Sequence, residues 1–153
     1  MNVETTSNIG DIYNQAIRYL SYREYAVGEL RAKLLKKFDS KLGITQVLER
    51  LLTEDLLSEQ RYAESYLRAR VNKGYGPEYI RNELISRGLK KTLIDKVLQN
   101  SDIVWEEEVY KVWNKKFKAT QLDEIQDKAR QWRFLQYRGF SHDQIKVLFS
   151  RVN

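Results

Sequence analysis

The segment ISRGLKKTLIDKVL (residues 85–98) returns as QYRGFSHDQIKVLF (136–149), displaced by 51 positions. Arg87 falls on Arg138, Gly88 on Gly139, Leu89 on Phe140 and Leu84 on Leu135. Upstream, Tyr62 falls on Trp113 and Tyr66 on Phe117. Residues 12–35 align with 62–85 at an offset of 50, which pairs Ile12 with Tyr62, Tyr25 with Tyr75, Leu30 with Ile80 and Leu34 with Leu84. A period near 50 residues means tandem modules rather than one globular core. Units this small bury little by themselves, so neighbours are expected to stack.

Each period holds three apolar stripes at helical spacing, and none alternates as a strand would. The stripes begin with Ile12, Ala16, Ile17 and Leu20, then Val27, Leu30, Leu34 and Leu35, then Ile44, Val47, Leu48, Leu51 and Leu52. The fourth holds Tyr62, Tyr66, Leu67 and Ala69, and the eighth holds Ile125, Ala129, Trp132 and Leu135. One proline in 153 residues agrees with helix throughout. The expected fold is all-α, with three tandem three-helix repeats at residues 9–57, 58–100 and 101–153 forming an elongated, curved rod. With the apolar stripes used in packing between modules, a monomer is expected.

Helix ends carry their own signals. Ser58 stands at N-cap distance before Tyr62, and Ser141-His142-Asp143-Gln144 fits a capping box. Glu106, Glu107 and Glu108 open the seventh helix, and Lys115, Lys116 and Lys118 close it, as the helix dipole favours. The run Lys73-Gly74-Tyr75-Gly76-Pro77 has no strand before it and no Gly-Lys-Ser/Thr ending, so it is not a nucleotide-binding phosphate loop. Pro77 suits a first helical turn, Gly76 an N-cap, and Gly74, Gly88 and Gly139 left-handed helix ends. Leu89 and Phe140 then fold back on the helices they follow.

Charge points toward polyanions. The formal charge is +6, and residues 61–100 hold 9 basic and 4 acidic side chains. Arg61 and Arg68 lie two turns apart on one helix. Arg70, Lys73, Arg81, Arg87, Lys90 and Lys91 crowd the ends of helices four to six, with Tyr75 in the loop between them. Glu64, Glu78 and Glu83 are too few to neutralise that set. Arg130, Arg133 and Arg138 add to it from helix eight.

Enzymatic chemistry finds no support. His142 is the sole histidine and belongs to a helix start, and without it no nucleophile–base set can be assembled. Glu106 to Glu108 point in different directions around a helix and make a poor metal site. No cofactor is expected. The absence of cysteine fits a reducing cytoplasm. No apolar run reaches the ~18 residues of a membrane span.

VNKGYGPEYIRNELISRGL (71–89) resembles the glycine-loop signature of the bacterial RecX family. EQRYAESYLRAR (59–70) is similar to the family's acidic-Arg-aromatic segment, REYAVGELRAKL (23–34) to its first-repeat entry, and SDIVW (101–105) with WRFLQYRGFSHDQI (132–145) to its third repeat. Ser58 stands where an aspartate is common; both cap helices. The N-terminus carries no long basic extension. The resemblance implies a non-enzymatic regulator that binds filaments of the RecA recombinase on single-stranded DNA. It would inhibit ATP hydrolysis and strand exchange and promote filament loss, with effects on DNA repair and the SOS response. Two other readings fit the residues without it: a helical-repeat protein that binds nucleic acid directly, and a scaffold for acidic partners.

Overall fold

The computed structural model describes residues 3–118 and 125–152, and the side chains of these except residues 3–7, 125 and 126. Ile125 of the eighth stripe and the expected third-repeat end at Asn153 therefore lie outside the described side chains. Nine α-helices and no strands occur among the described residues: α1 (Val3–Leu20), α2 (Val27–Leu35), α3 (Lys41–Thr53), α4 (Glu59–Asn72), α5 (Pro77–Ser86), α6 (Lys91–Asn100), α7 (Trp105–Phe117), α8 (Ile125–Tyr137) and α9 (His142–Val152).

At Ser58 and Ser141 the capping chemistry is local and sits where the sequence puts it. The amide of Arg61 donates to Ser58 Oγ at 3.2 Å. Ser141 and Gln144 exchange hydrogen bonds, the Ser141 amide to Gln144 Oε1 at 2.8 Å and the Gln144 amide to Ser141 Oγ at 3.2 Å. Ser40 Oγ accepts from the Gly43 amide at the start of α3. At α2 the N-cap is Ala26, which has no acceptor to offer. Carboxylates from two helices replace it: Glu29 accepts from the Ala26 amide and Glu59 from the Val27 amide, each at 3.1 Å.

The chain divides into two compact units. The first comprises Met1–Ser65 with Arg87–Leu89. There α3 packs on α1 and α2 around Ile12, Ala16, Tyr25, Leu30, Leu34, Ile44, Leu48 and Leu51, all buried. Its stripes are not wholly consumed: Leu35 and Leu52 are exposed, as are Leu42 and Leu56 beside them. The expectation of fully used apolar stripes is corrected to that extent. The α3 terminus holds a further departure, because Asp55 adopts φ +58° where a glycine would be usual. The Leu56 amide then closes the helix on the Leu51 carbonyl at 3.0 Å.

The second unit comprises Tyr66–Ser86 and Lys90–Asn153. In it α5 packs on α6, and α7 packs on α8 and α9. Leu67, Ile80, Leu84, Ile94 and Val97 are buried, as are Val109, Trp113, Phe117, Leu135, Phe140, Ile145, Leu148 and Phe149 around α7–α9. Buried Gln131 accepts a hydrogen bond from the Trp113 indole at 2.8 Å, so the aromatic core keeps the polar edge of that ring satisfied.

Candidate functional site

Two glycine turns of the second unit interlock. Gly74 (φ +89°) ends α4: its amide meets the Val71 carbonyl at 2.9 Å and the Tyr75 amide meets the Arg70 carbonyl at 3.0 Å. Gly139 (φ +99°) ends α8 in the same way, with its amide on Gln136 and that of Phe140 on Leu135. The Gly76 amide donates to the Arg138 carbonyl at 2.7 Å, and the Glu78 amide to the Gly139 carbonyl at 3.0 Å. A Cβ on Gly76 would lie 2.5 Å from the Gly139 carbonyl carbon, and one on Gly139 would run into the backbone and Cβ of Tyr79. Both positions therefore need glycine for close backbone approach, over and above any turn geometry.

The interlock carries side chains with it. Arg138 Nη1 donates to the Lys73 carbonyl at 3.1 Å. Its guanidinium stands 4.8 Å from the Tyr75 ring centre and 5.2 Å from that of Phe134. Tyr75 stacks by its ring on Tyr79, at 4.2 Å and 19°. Lys116 Nζ is 4.3 Å from the Phe134 ring centre. Beside this pile opens a groove of about 830 Å³, lined by the end of α4, the Gly74-Tyr75 turn, α7 and α8. Lys73, Lys111, Lys115, Lys116 and Arg138 face it, with Glu108 as the one carboxylate among the lining residues. Glu108 pairs with Lys111 at 3.1 Å. Among the described residues Lys73, Lys115 and Lys116 have no ion-pair partner, so their charge is left for a ligand.

The sequence-selected arginines divide sharply. Arg61 is held by Glu24 and Asp55, each at 3.1 Å. Arg70 pairs with Glu83 at 3.2 Å, and Tyr66 lies in the same cluster, hydrogen-bonded to both. Arg81 pairs with Asp95 at 2.8 Å. Arg87 reaches Glu29 at 3.3 Å and the Tyr62 hydroxyl at 3.0 Å. The expectation that nearby acids are too few is thereby corrected. The neutralising carboxylates come mostly from other helices and loops, which counting along the local sequence does not reveal.

These pairs leave electrostatic signatures. The hydrogen bond from Arg81 holds the Asp95 carboxyl below the usual carboxylate range. Burial first, and then the hydrogen bond to Glu83, push the Tyr66 hydroxyl up.

Of the remaining sequence candidates, Arg68, Lys90, Lys91, Arg130 and Arg133 are exposed and do not line the groove. The structure thus gathers Lys73, Tyr75 and Arg138 from the sequence-selected set. It adds Lys111, Lys115, Lys116 and Phe134, which the sequence presents as helix-dipole partners or leaves without a role. The i, i+4 spacing of Lys111 and Lys115 is the signal that could have found them. Among the described residues no group of His, Cys, Asp and Glu could hold a metal ion, and no helix is long and apolar enough to cross a membrane.

Comparison with known proteins gives the groove its setting. The first, second and third three-helix domains of RecX match residues 13–51, 58–98 and 106–148. The regulatory protein RecX of Pseudomonas putida KT2440 is 42% identical over 139 residues, 91% of this chain and 89% of that protein. That of Pseudomonas syringae pv. tomato is 39% identical over 91% and 90%. The crystal structure of RecX from Lactobacillus salivarius superposes with a TM-score of 0.84 at 25% identity, covering 96% of this chain and 97% of that one.

Proposed function

From the premise that the chain belongs to the RecX family of regulatory proteins, we propose that it is a negative regulator of the RecA recombinase. In this reading it binds RecA filaments on single-stranded DNA and inhibits their ATP hydrolysis and strand exchange. It thereby moderates DNA repair and the SOS response, acting in the cytoplasm as a monomer without catalysis of its own.

The observation that supports the reading most directly is the groove of the second unit. Among the described residues its Lys73, Lys115 and Lys116 have no carboxylate partner, while Lys111 pairs with Glu108 and Arg61, Arg70, Arg81 and Arg87 are already satisfied within the fold. Unsatisfied cations on a preformed concave surface attract a polyanionic assembly at low ordering cost. Arg138 is fixed there by its hydrogen bond to the Lys73 carbonyl, so its charge does not have to be immobilised on binding.

The test is the DNA-dependent ATPase of RecA under titration with this protein. Inhibition complete at a small fraction of one molecule per RecA subunit is the expected result, because each bound molecule then acts on the filament. A requirement for enough protein to coat the DNA, or no inhibition at all, would refute filament regulation.

A further inference from the structure

The same groove has a composition more specific than a general basic face. Its cations alternate with aromatic rings instead of forming a plain lysine patch. Arg138 lies against Tyr75 and Phe134, and Lys116 lies over Phe134 at 4.3 Å. Both rings are half-buried, so part of each remains open to the groove. A positively charged channel with interleaved rings and a guanidinium suits a single nucleic-acid strand, whose phosphates meet the lysines while its bases lie flat on the pile.

We infer that the α4–α7–α8 groove is a direct binding site for the backbone of single-stranded nucleic acid, read without base identity. The inference rests on the regulatory reading only for where a strand is encountered, and not for the binding itself. The site's chemistry favours the backbone over the bases. Five of its charged side chains are ammonium or guanidinium groups suited to phosphate, against the single carboxylate of Glu108, and one of its two rings, Tyr75, is already stacked on Tyr79. Asn72 is the one amide among the lining residues, and a single amide is too little to specify a base sequence. An acidic protein segment would satisfy the lysines equally well, but it would gain nothing from the ring pile.

A labelled oligo(dT) in an anisotropy titration of the full chain tests this across a salt series. Lys73→Glu/Lys115→Glu is the groove variant and Lys96→Glu/Lys146→Glu, exposed and outside the groove, matches its charge change. Wild type should bind, and the groove variant should lose at least tenfold more affinity than the control pair. Its slope of log affinity against log salt should fall by about 0.7 for each phosphate that the variant no longer neutralises. Oligo(dA) should bind wild type within a few-fold of oligo(dT). Equal losses of affinity in the two variants, or no binding by wild type, would overturn the site. So would displacement of the oligonucleotide by poly-glutamate at equal charge concentration, which would instead identify an acidic-protein groove. RecA ATPase inhibition, measured on the same samples, reports on the regulatory reading separately: its loss with oligo(dT) binding intact refutes that reading and leaves the groove standing.

Discussion

Gly76 and Gly139, 63 positions apart in sequence, approach so closely that a single added methyl on Gly76 would lie 2.5 Å from the Gly139 carbonyl carbon. The neighbour is backbone held by hydrogen bonds from Gly76 and Glu78, so it has little room to yield. Gly88 is different. It shares the left-handed conformation, at φ +90°, yet a Cβ there would meet nothing within 4 Å.

Alanine substitutions should therefore separate. Gly88→Ala should cost about 1 kcal/mol, the left-handed penalty alone. Gly139→Ala should add about 1–3 kcal/mol of overpacking to that penalty. Gly76→Ala, with no left-handed strain, should show the overpacking cost only. Urea denaturation measures all three. Equal destabilisation at Gly88 and Gly139 would mean the interlock gives way freely.

Arg81 and Asp95 supply a pH-dependent prediction. The arginine hydrogen bond depresses the Asp95 pKa in the folded protein. The unfolded chain therefore binds the proton more readily, and the pair stabilises the fold above the unfolded carboxylate pKa of about 3.9. That contribution is lost as pH falls through the depressed folded value. NMR titration should place the Asp95 midpoint below its position in Arg81→Gln. Coincident midpoints would mean that the ion pair does not persist in solution. Arg81→Glu should lower the melting temperature at neutral pH, and adding Asp95→Arg should restore it.

Tyr66 acts at the opposite end of the scale. Its hydroxyl is pushed up by burial and by Glu83, so the folded state holds its proton where the unfolded chain releases it. The stabilisation is whole below the unfolded tyrosine pKa of about 10 and is lost as pH rises through the folded value. Tyr66→Phe should flatten the alkaline limb of the stability profile and leave the acid limb in place. An unchanged alkaline limb would assign it to other tyrosines; Tyr62 is also raised, chiefly by burial.

How far these features are legible in the sequence follows from their range. Ser58, Ser141 with Gln144, and the left-handed Gly74, Gly88 and Gly139 act within a turn or two of their own helix, so spacing alone locates them. The Arg87–Glu29 pair spans 58 residues and Arg61–Glu24 spans 37, and no local pattern links such partners. The α2 cap is hidden for the same reason, since Glu59 reaches Val27 from the next repeat. Lys115 and Lys116 are visible as residues, but their role as groove walls depends on how α7 packs beside the α4 turn.

That distinction separates cations that hold the fold from cations that remain available to a partner. Arg87→Glu would set a carboxylate against Glu29 and remove the donor to Tyr62 Oη. It should lower stability by about 1 kcal/mol once its partial exposure is allowed for. Any effect on RecA inhibition should follow from that lower stability. Lys73→Glu touches no carboxylate among the described residues and contributes to the interlock only through its backbone carbonyl, which the substitution preserves. Its melting temperature should match wild type, while its potency against the RecA ATPase should fall about tenfold, roughly 1.4 kcal/mol in binding. Melting curves and ATPase titrations of the two variants, read together, decide the matter. If Arg87→Glu abolishes inhibition with its stability intact and Lys73→Glu inhibits like wild type, the contact surface lies with the first unit and not with the groove.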